Sequence, residues 1–299
     1  MGLKSDAIRP SAYIGVPLDS VGPSGGAEQA PAALRRLGLP ARLGAEDRGD
    51  LAVGARSEER DAESGILAGP EVLAATTTVR AAVAERVGAG TVPFLAGGCC
   101  ALLPGALAGA RDALGEVGLV HLDGHLDLYD GETSPTGEAA DMVISVALGL
   151  GPAAWVDAAG GVGVAPERTA IVGFRDRSES IEYGMRQPET IEPMPMLRPV
   201  EELRAIGPGL AATEVTSIQA ERGPFWLHFD VDVLDRDVFP ATDYLLPGGL
   251  DWDELRAVLA PLLASPALAG VSLACFNPTK DPDGACGRAL ADTLAAAAG

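Results

Sequence analysis

The stretch "VGLVHLDGHLD" (117–127) begins as an apolar run and ends as a cluster of histidine and aspartate. The run is short and nearly continuous, the pattern of a strand buried on both faces. A second stretch, "FWLHFDVDVLD" (225–235), repeats the design, with a strand read over 225–234. "AYIGVP" (12–17), "VPFLAG" (92–97), "TAIVGF" (169–174) and "GVSLACF" (270–276) read as further strands. Ala/Leu-rich segments near 70–88, 100–113, 138–150, 250–264 and 284–298 read as helices. Strand alternating with helix predicts an α/β fold, a mostly parallel central sheet with helices on both faces. Ligands of such sheets bind beyond the carboxyl ends of the strands, where both clusters fall.

No internal repeat or low-complexity linker divides the chain, so residues 1–299 are expected to form one domain. The Pro/Met-rich piece "RQPETIEPMPMLRPVEE" (186–202) reads as a surface excursion. Hydrophobic residues make up 47% but aromatics only 4%, so Ala, Val and Leu must form the core. The net charge of −20 repels phosphate backbones, which argues against nucleic acid and anionic membranes as partners. No apolar stretch is long enough for a membrane span, and "MGLKSDAIRPSAYIGV" has no apolar core of a secretory signal. The four cysteines, Cys99, Cys100, Cys275 and Cys286, form no CxxC and no disulfide pattern. A cytoplasmic chain is expected.

If strand conformation persists past Asp123, then Asp123, His125 and Asp127 share a face, and so do Asp230 and Asp232. Carboxylates crowded at the end of a buried sheet repel one another unless protonated or bound to cations, and divalent metal resolves the conflict. The competing reading is a solvated acidic rim, since the chain has 42 acidic residues. Against it, all three histidines (His121, His125 and His228) lie inside the two clusters. His125 is the strongest ligand candidate. His121 and His228 read as buried, hydrogen-bonding residues behind the ligands.

These segments resemble the arginase/agmatinase (ureohydrolase) family, whose signatures are GGDH, DAHxD and SxDxDxxDPxxxPGTGxPxxGGL. Here they read "GGCC" (97–100), "DGHLD" (123–127) and "HFDVDVLDRDVFPATDYLLPGGL" (228–250). "IGVPLDSVGPSGGAEQAPAALR" (14–35), "VGFRD" (172–176) and "GVSLACFNP" (270–278) also look familial. The resemblance implies a three-layer α/β/α sandwich, a homo-oligomer (trimer or hexamer), a small-molecule substrate and two Mn²⁺ ions about 3.5 Å apart. It implies that Asp123 and Asp230 bridge the metals, that Asp127 joins one, and that His125 and Asp232 hold the other. A metal-generated hydroxide then attacks a guanidinium carbon and urea leaves.

The chain departs from that pattern at three places. Cys100 stands where the family has its histidine ligand, with Cys99 replacing the aspartate before it. As a thiolate, Cys100 would favour Zn²⁺ or Fe²⁺ over Mn²⁺. As a neutral thiol it would leave one metal on Asp123, His125 and Asp232 with help from Asp230, an arrangement that resembles the single zinc of histone deacetylases. Cys275 occupies the place of a glutamate that pairs with the guanidinium, and cannot supply a bidentate carboxylate. The loop "YDGETSPTGEAADM" (129–142) lacks the family's proton-transferring histidine, for which Asp130, Glu138 or Asp141 are the candidates.

The expected site is therefore Asp123, His125, Asp127, Asp230, Asp232 and Cys100 for one or two divalent ions. Asp127, His125 and Asp141 are the catalytic candidates, and Cys275, Glu138 and Asp243 the substrate contacts. The expected activity is hydrolysis of a non-peptide C–N bond in a guanidine, amidine or amide. The alternative is a catalytically inactive family member acting as a binding or regulatory subunit.

Overall fold

The computed structural model describes residues 10–21, 25–54 and 57–299. The N-terminal nine residues, and residues 22–24 within the 14–35 motif, lie outside it. The described residues build one parallel sheet of eight strands: β1 (Ala12–Val16), β2 (Glu46–Asp50), β3 (Pro93–Gly97), β4 (Gly118–Leu122), β5 (Thr169–Val172), β6 (Met196–Arg198), β7 (Phe225–Asp230) and β8 (Leu268–Ala274). Their order across the sheet is β2-β1-β3-β8-β7-β4-β5-β6, every pair parallel. The four central strands, β3, β8, β7 and β4, therefore empty their carboxyl ends side by side. Those ends carry "GGCC", "ACF", "FDVD" and "LDGHLD".

The six strands read from apolar runs are all present. The two that were not foreseen are the sheet's edges. β2 ("EDRGD") is exposed at every residue, and β6 is three half-buried residues inside the 186–202 piece. An edge strand is paired on one side only and needs no buried faces, so it leaves no apolar signature. The 186–202 segment is thus partly sheet rather than wholly a surface excursion.

Helices cover the sheet in two groups. Gly69–Gly88 packs on Leu103–Leu114, while Trp252–Leu263 packs between Pro208–Glu221 and Ala285–Ala298. The first pair meets closely because Gly105 and Gly109 lie one turn apart. A Cβ on either would fall 2.6 Å from the Thr76 carbonyl oxygen or 2.4 Å from that of Arg80. Helix Trp252–Leu263 starts where Asp251 accepts from Glu254 N at 2.8 Å and Glu254 Oε2 accepts from Asp251 N at 3.0 Å. Satisfying these end donors sets the helix start two residues later than the apolar pattern suggests. Helix Pro208–Glu221 escaped the sequence reading because β-branched residues interrupt "GLAATEVTSIQAE". Near 138–150, the helix is only Val143–Ala147, preceded by a turn at Ala139–Met142. No helix among the described residues is long and apolar enough to cross a membrane.

Candidate metal centre

The site is built where the central strands stop. β4 stops at Leu122, so Asp123, His125 and Asp127 do not converge by strand alternation as expected. A loop brings them together instead. Asp123 Oδ1 accepts from His125 N at 2.8 Å, and Asp127 adopts a left-handed backbone with φ 51°. A positive φ costs a non-glycine residue energy and is held only where the surroundings over-determine it. Leu126 N, between the two, donates to Asp176 Oδ2 at 3.2 Å. β7 likewise ends at Asp230, short of Leu234, because Asp230 Oδ1 accepts from Asp232 N at 2.8 Å and caps the turn Val231–Val233.

Arg175 of "VGFRD" braces that turn. Its guanidinium donates to the carbonyls of Asp232, Val233, Leu234, Leu246 and Pro247 at 2.8–3.3 Å. Nothing in the motif reading had assigned this residue a task.

The "GGCC" corner is set by close approach. A Cβ on Gly98 would lie 2.0 Å from the Leu18 carbonyl oxygen. Gly98 N and Cys99 N donate to Val16 O and Leu18 O, while Gly98 O accepts from Cys275 N at 2.7 Å. Cys275, just past β8, has φ 65°. The corner thereby ties the exits of β1, β3 and β8 together and turns the Cys100 and Cys275 thiols inward. Cys100 Sγ donates to Asp230 Oδ2 at 2.7 Å and lies 3.6 Å from Cys275 Sγ. Cys99 is buried in the core, and Cys286 sits half-buried in helix Ala285–Ala298.

His125 Nδ1 lies 3.1 Å from Asp232 Oδ2 and 3.5 Å from Asp123 Oδ1. Asp123, His125 and Asp232 thus form one compact group of donors. Beneath it, His121 of β4 faces His228 of β7 in register, with rings stacked at 5.2 Å. His121 Nε2 stands 3.2 Å from Asp123 Oδ2 and 3.3 Å from Asp127 Oδ2. His228 Nδ1 is engaged by Ser272 Oγ at 2.7 Å, and Ser272 accepts from Trp226 Nε1 at 2.9 Å. His121 and His228 were expected only as hydrogen-bonding residues behind the ligands, yet neither nitrogen of His121 forms a hydrogen bond among the described residues.

Charge in this space is unresolved without a cation. Burial, then the charges of Asp127 and Asp232, push the Asp123 carboxyl up to about 7. Burial also drives Asp127 well above the usual carboxylate range, and drives Asp230 there with help from Asp232 and Asp123. Burial opposes the ionisation of Asp232 and His125 too, but their mutual attraction overcomes it; Asp232 is held low and His125 high. Asp123 Oδ2 has no hydrogen-bond partner among the described residues. Arg175 spends its donors on carbonyls. Four buried aspartates with one imidazole and an orphaned oxygen fit divalent metal, whose charge would relieve the repulsion.

A cavity of about 300 Å³ opens onto these groups. Cys100, Asp123, His125, Asp127, Asp230, Asp232 and Cys275 form its floor. Tyr129, Tyr183 and Met185 add apolar wall. The 129–142 loop contributes Glu138 and Asp141. Asp141 accepts from Ser134 Oγ at 2.8 Å, and burial raises its carboxyl to about 8. Glu138 Oε2 accepts from Tyr244 O–H at 2.6 Å, and the Tyr244 ring stands edge-on to His125. Asp130 is turned away, accepting from Glu132 N and Thr133 N within its own loop. Asp243 does not line the cavity. Its carboxylate is taken by Lys280 Nζ at 2.8 Å and Asn277 Nδ2 at 3.2 Å, and its neighbour Tyr244 faces the cavity instead.

The sequence model of the arginase family matches residues 10–299. The N(omega)-hydroxy-L-arginine amidinohydrolase of Streptomyces lavendulae is 30% identical over 214 residues, covering 72% of this chain and 71% of its own. The arginase of Bacillus caldovelox is 26% identical over 282 residues, covering 92% of this chain and 93% of its own. The solved structure of the Bacillus caldovelox arginase superposes with a TM-score of 0.85 at 24% identity, covering 98% of this chain and 99% of that one.

Proposed function

The chain belongs to the arginase family, and from that premise we propose that it hydrolyses a non-peptide C–N bond of a small guanidine, amidine or amide with metal-activated water. The observation that carries this reading is the convergence of Asp123, His125, Asp127, Asp230 and Asp232 on one cavity floor. These residues are the proposed holders of one or two divalent ions, with the Cys100 thiol against them. Mn²⁺ is the ion that the family suggests; Zn²⁺ or Fe²⁺ would follow if a thiolate took part. Divalent ions held there lower the pKa of water and supply a nucleophile near neutral pH.

The protein's own groups do the rest. The oxygen of water bonds to the carbon and becomes its carbonyl oxygen, the C–N bond breaks, and the departing nitrogen takes a proton from a donor that the protons released by water restore. Asp141 is the candidate to give that proton: it lines the cavity, and burial favours its protonated form. Asp127 and His125 hold the charge at the cavity floor. The Glu138–Tyr244 pair offers a carboxylate and a phenol to the substrate. The thiol of Cys275 supplies no anion to a guanidinium, which favours a substrate less cationic there than arginine or agmatine. The relatives' substrates, arginine and N(omega)-hydroxy-L-arginine, define the panel to start from. We further read the chain as a single cytoplasmic domain that assembles as a trimer or hexamer.

The test is metal-loaded protein against a panel of guanidines, amidines and amides, with urea, ammonia and acid assayed. Product from at least one class supports the reading. No product from any, with ions bound, would identify a non-catalytic family member.

A further inference from the structure

The buried imidazole of His121 has two nitrogens and no hydrogen bond among the described residues. It is fully buried and does not line the cavity. A buried polar group normally finds a partner. The ring is not loosely placed either. The parallel register of β4 with β7 seats it on the ring of His228, the two planes 4° from parallel, and Ser272 fixes His228 in turn. So held, it presents Nε2 at 3.2 Å to Asp123 Oδ2 and at 3.3 Å to Asp127 Oδ2. Asp123 Oδ2 is itself without a hydrogen-bond partner among the described residues. Three donor atoms, one from each residue, all lie within 4.8 Å of one another.

These spacings are those of ligands around one ion. Nitrogen and oxygen donors at the usual zinc distances, arranged tetrahedrally, stand about 3.4 Å apart. The thiols stand in compact groups too, Cys100 with Asp230 and Cys275, and Cys100 with Asp123 and His228, but they are already engaged. Cys100 donates to Asp230, and Cys275 lies against Cys100. A nitrogen–oxygen set also suits first-row divalent ions without a thiolate.

Resting on the reading above that the centre holds metal, we propose that His121 is the imidazole ligand of a second divalent ion, shared with Asp123 and Asp127. The lone nitrogen donor that Cys100 fails to provide is supplied from below, by β4. The first ion keeps Asp123, His125 and Asp232. Asp123 then serves both, with Oδ1 toward His125 and Oδ2 toward His121. Nδ1 of His121 finds no hydrogen-bond partner among the described residues, so the stack on His228 orients the ring.

The test uses the purified full chain, stripped of metal and titrated with Co²⁺ alone, with bound ions counted by elemental analysis. Cobalt also reports its ligands, because thiolate coordination adds a near-ultraviolet charge-transfer band. The expected result is two ions per chain with no such band, and one ion per chain in His121→Phe, which keeps the stacked ring. The Cys100→Ser/Cys275→Ser double variant should keep two. Two ions in His121→Phe, one ion already in the parent protein, or a thiolate band lost in Cys100→Ser would each overturn the proposal. If His121→Phe fails to fold by circular dichroism, the parent spectrum decides: two ions without a thiolate band support His121, and the band refutes it. Two ions with no hydrolysis of any panel compound would end the functional reading while leaving this inference intact. A parent chain that takes up no ion would end both.

Discussion

The Cys100 thiol, at the β3 corner, donates to Asp230 Oδ2 at the end of β7 across 2.7 Å, and so joins two strands that are not neighbours in the sheet. Burial, the Cys275 thiol and the charge of Asp230 keep Cys100 protonated well above the ordinary thiol range. Burial likewise raises Cys99 to about 12. Thiolates are the reactive form, so these groups should be inert in the folded chain. With a thiol-specific chromogenic disulfide at pH 8, at most one thiol per chain, the half-buried Cys286, should react before unfolding, and four after it. Rapid reaction of two or more would contradict the packing around Cys100.

Asp141 yields two pH signatures. In the metal-free protein its carboxyl is raised to about 8 by burial. A raised carboxyl adds stability that is fully present below its unfolded value near 4 and is lost as pH rises through about 8. Asp141→Asn should therefore flatten the fall in unfolding free energy between pH 5 and 9, by an amount on the order of a few kcal/mol. If Asp141 gives its proton to the leaving nitrogen, the same change should lower turnover roughly 10²–10⁴-fold. It should also remove the limb of the pH–rate profile along which that proton is lost. Denaturant titrations across pH and a pH–rate profile read the two effects separately.

Arg175 is the brace of the Asp232 turn, with five carbonyls on one guanidinium. Removing it leaves several of those oxygens unsatisfied at about 1–3 kcal/mol each where water cannot replace it. Arg175→Ala should lose roughly 3 kcal/mol by denaturant titration. It should also weaken metal uptake, since Asp232 loses its anchor. Arg175→Lys should recover little, because one ammonium cannot span the carbonyls that a planar fork reaches. Full recovery in the lysine variant would show that charge near Asp232, rather than the brace, is what matters.

The central strands and their acidic ends were legible because burial on both faces forces an apolar run and chemistry forces His and Asp at its end. What the sequence hid is physical too. β2 and β6 need no apolar pattern at the sheet edges. Asp123, His125 and Asp127 meet through a loop closed by a left-handed Asp127, not through the strand periodicity that first grouped them. Asp243 and Tyr244 are adjacent in sequence, and only the loop path decides which one faces the cavity. His121 was read as a residue behind the ligands because its register against β7, which sets its ring beside two carboxylates, is a tertiary fact.

Cys275 tests what the cavity floor is for. It sits just past β8 with φ 65°, its thiol beside Cys100 and its backbone N–H on Gly98 O. That backbone is already held, so a replacement inherits its direction. Cys275→Glu would aim a carboxylate into a cavity of about 300 Å³, where it could pair with a guanidinium. A charge-assisted hydrogen bond contributes about 1.5–3 kcal/mol, or roughly 10–100-fold in affinity or rate. Urea release from arginine or agmatine by Cys275→Glu should therefore exceed that of the parent chain by about that factor. The added buried charge should cost stability in the metal-free state. If the parent chain already cleaves arginine as fast as the variant, Cys275 does not set substrate charge.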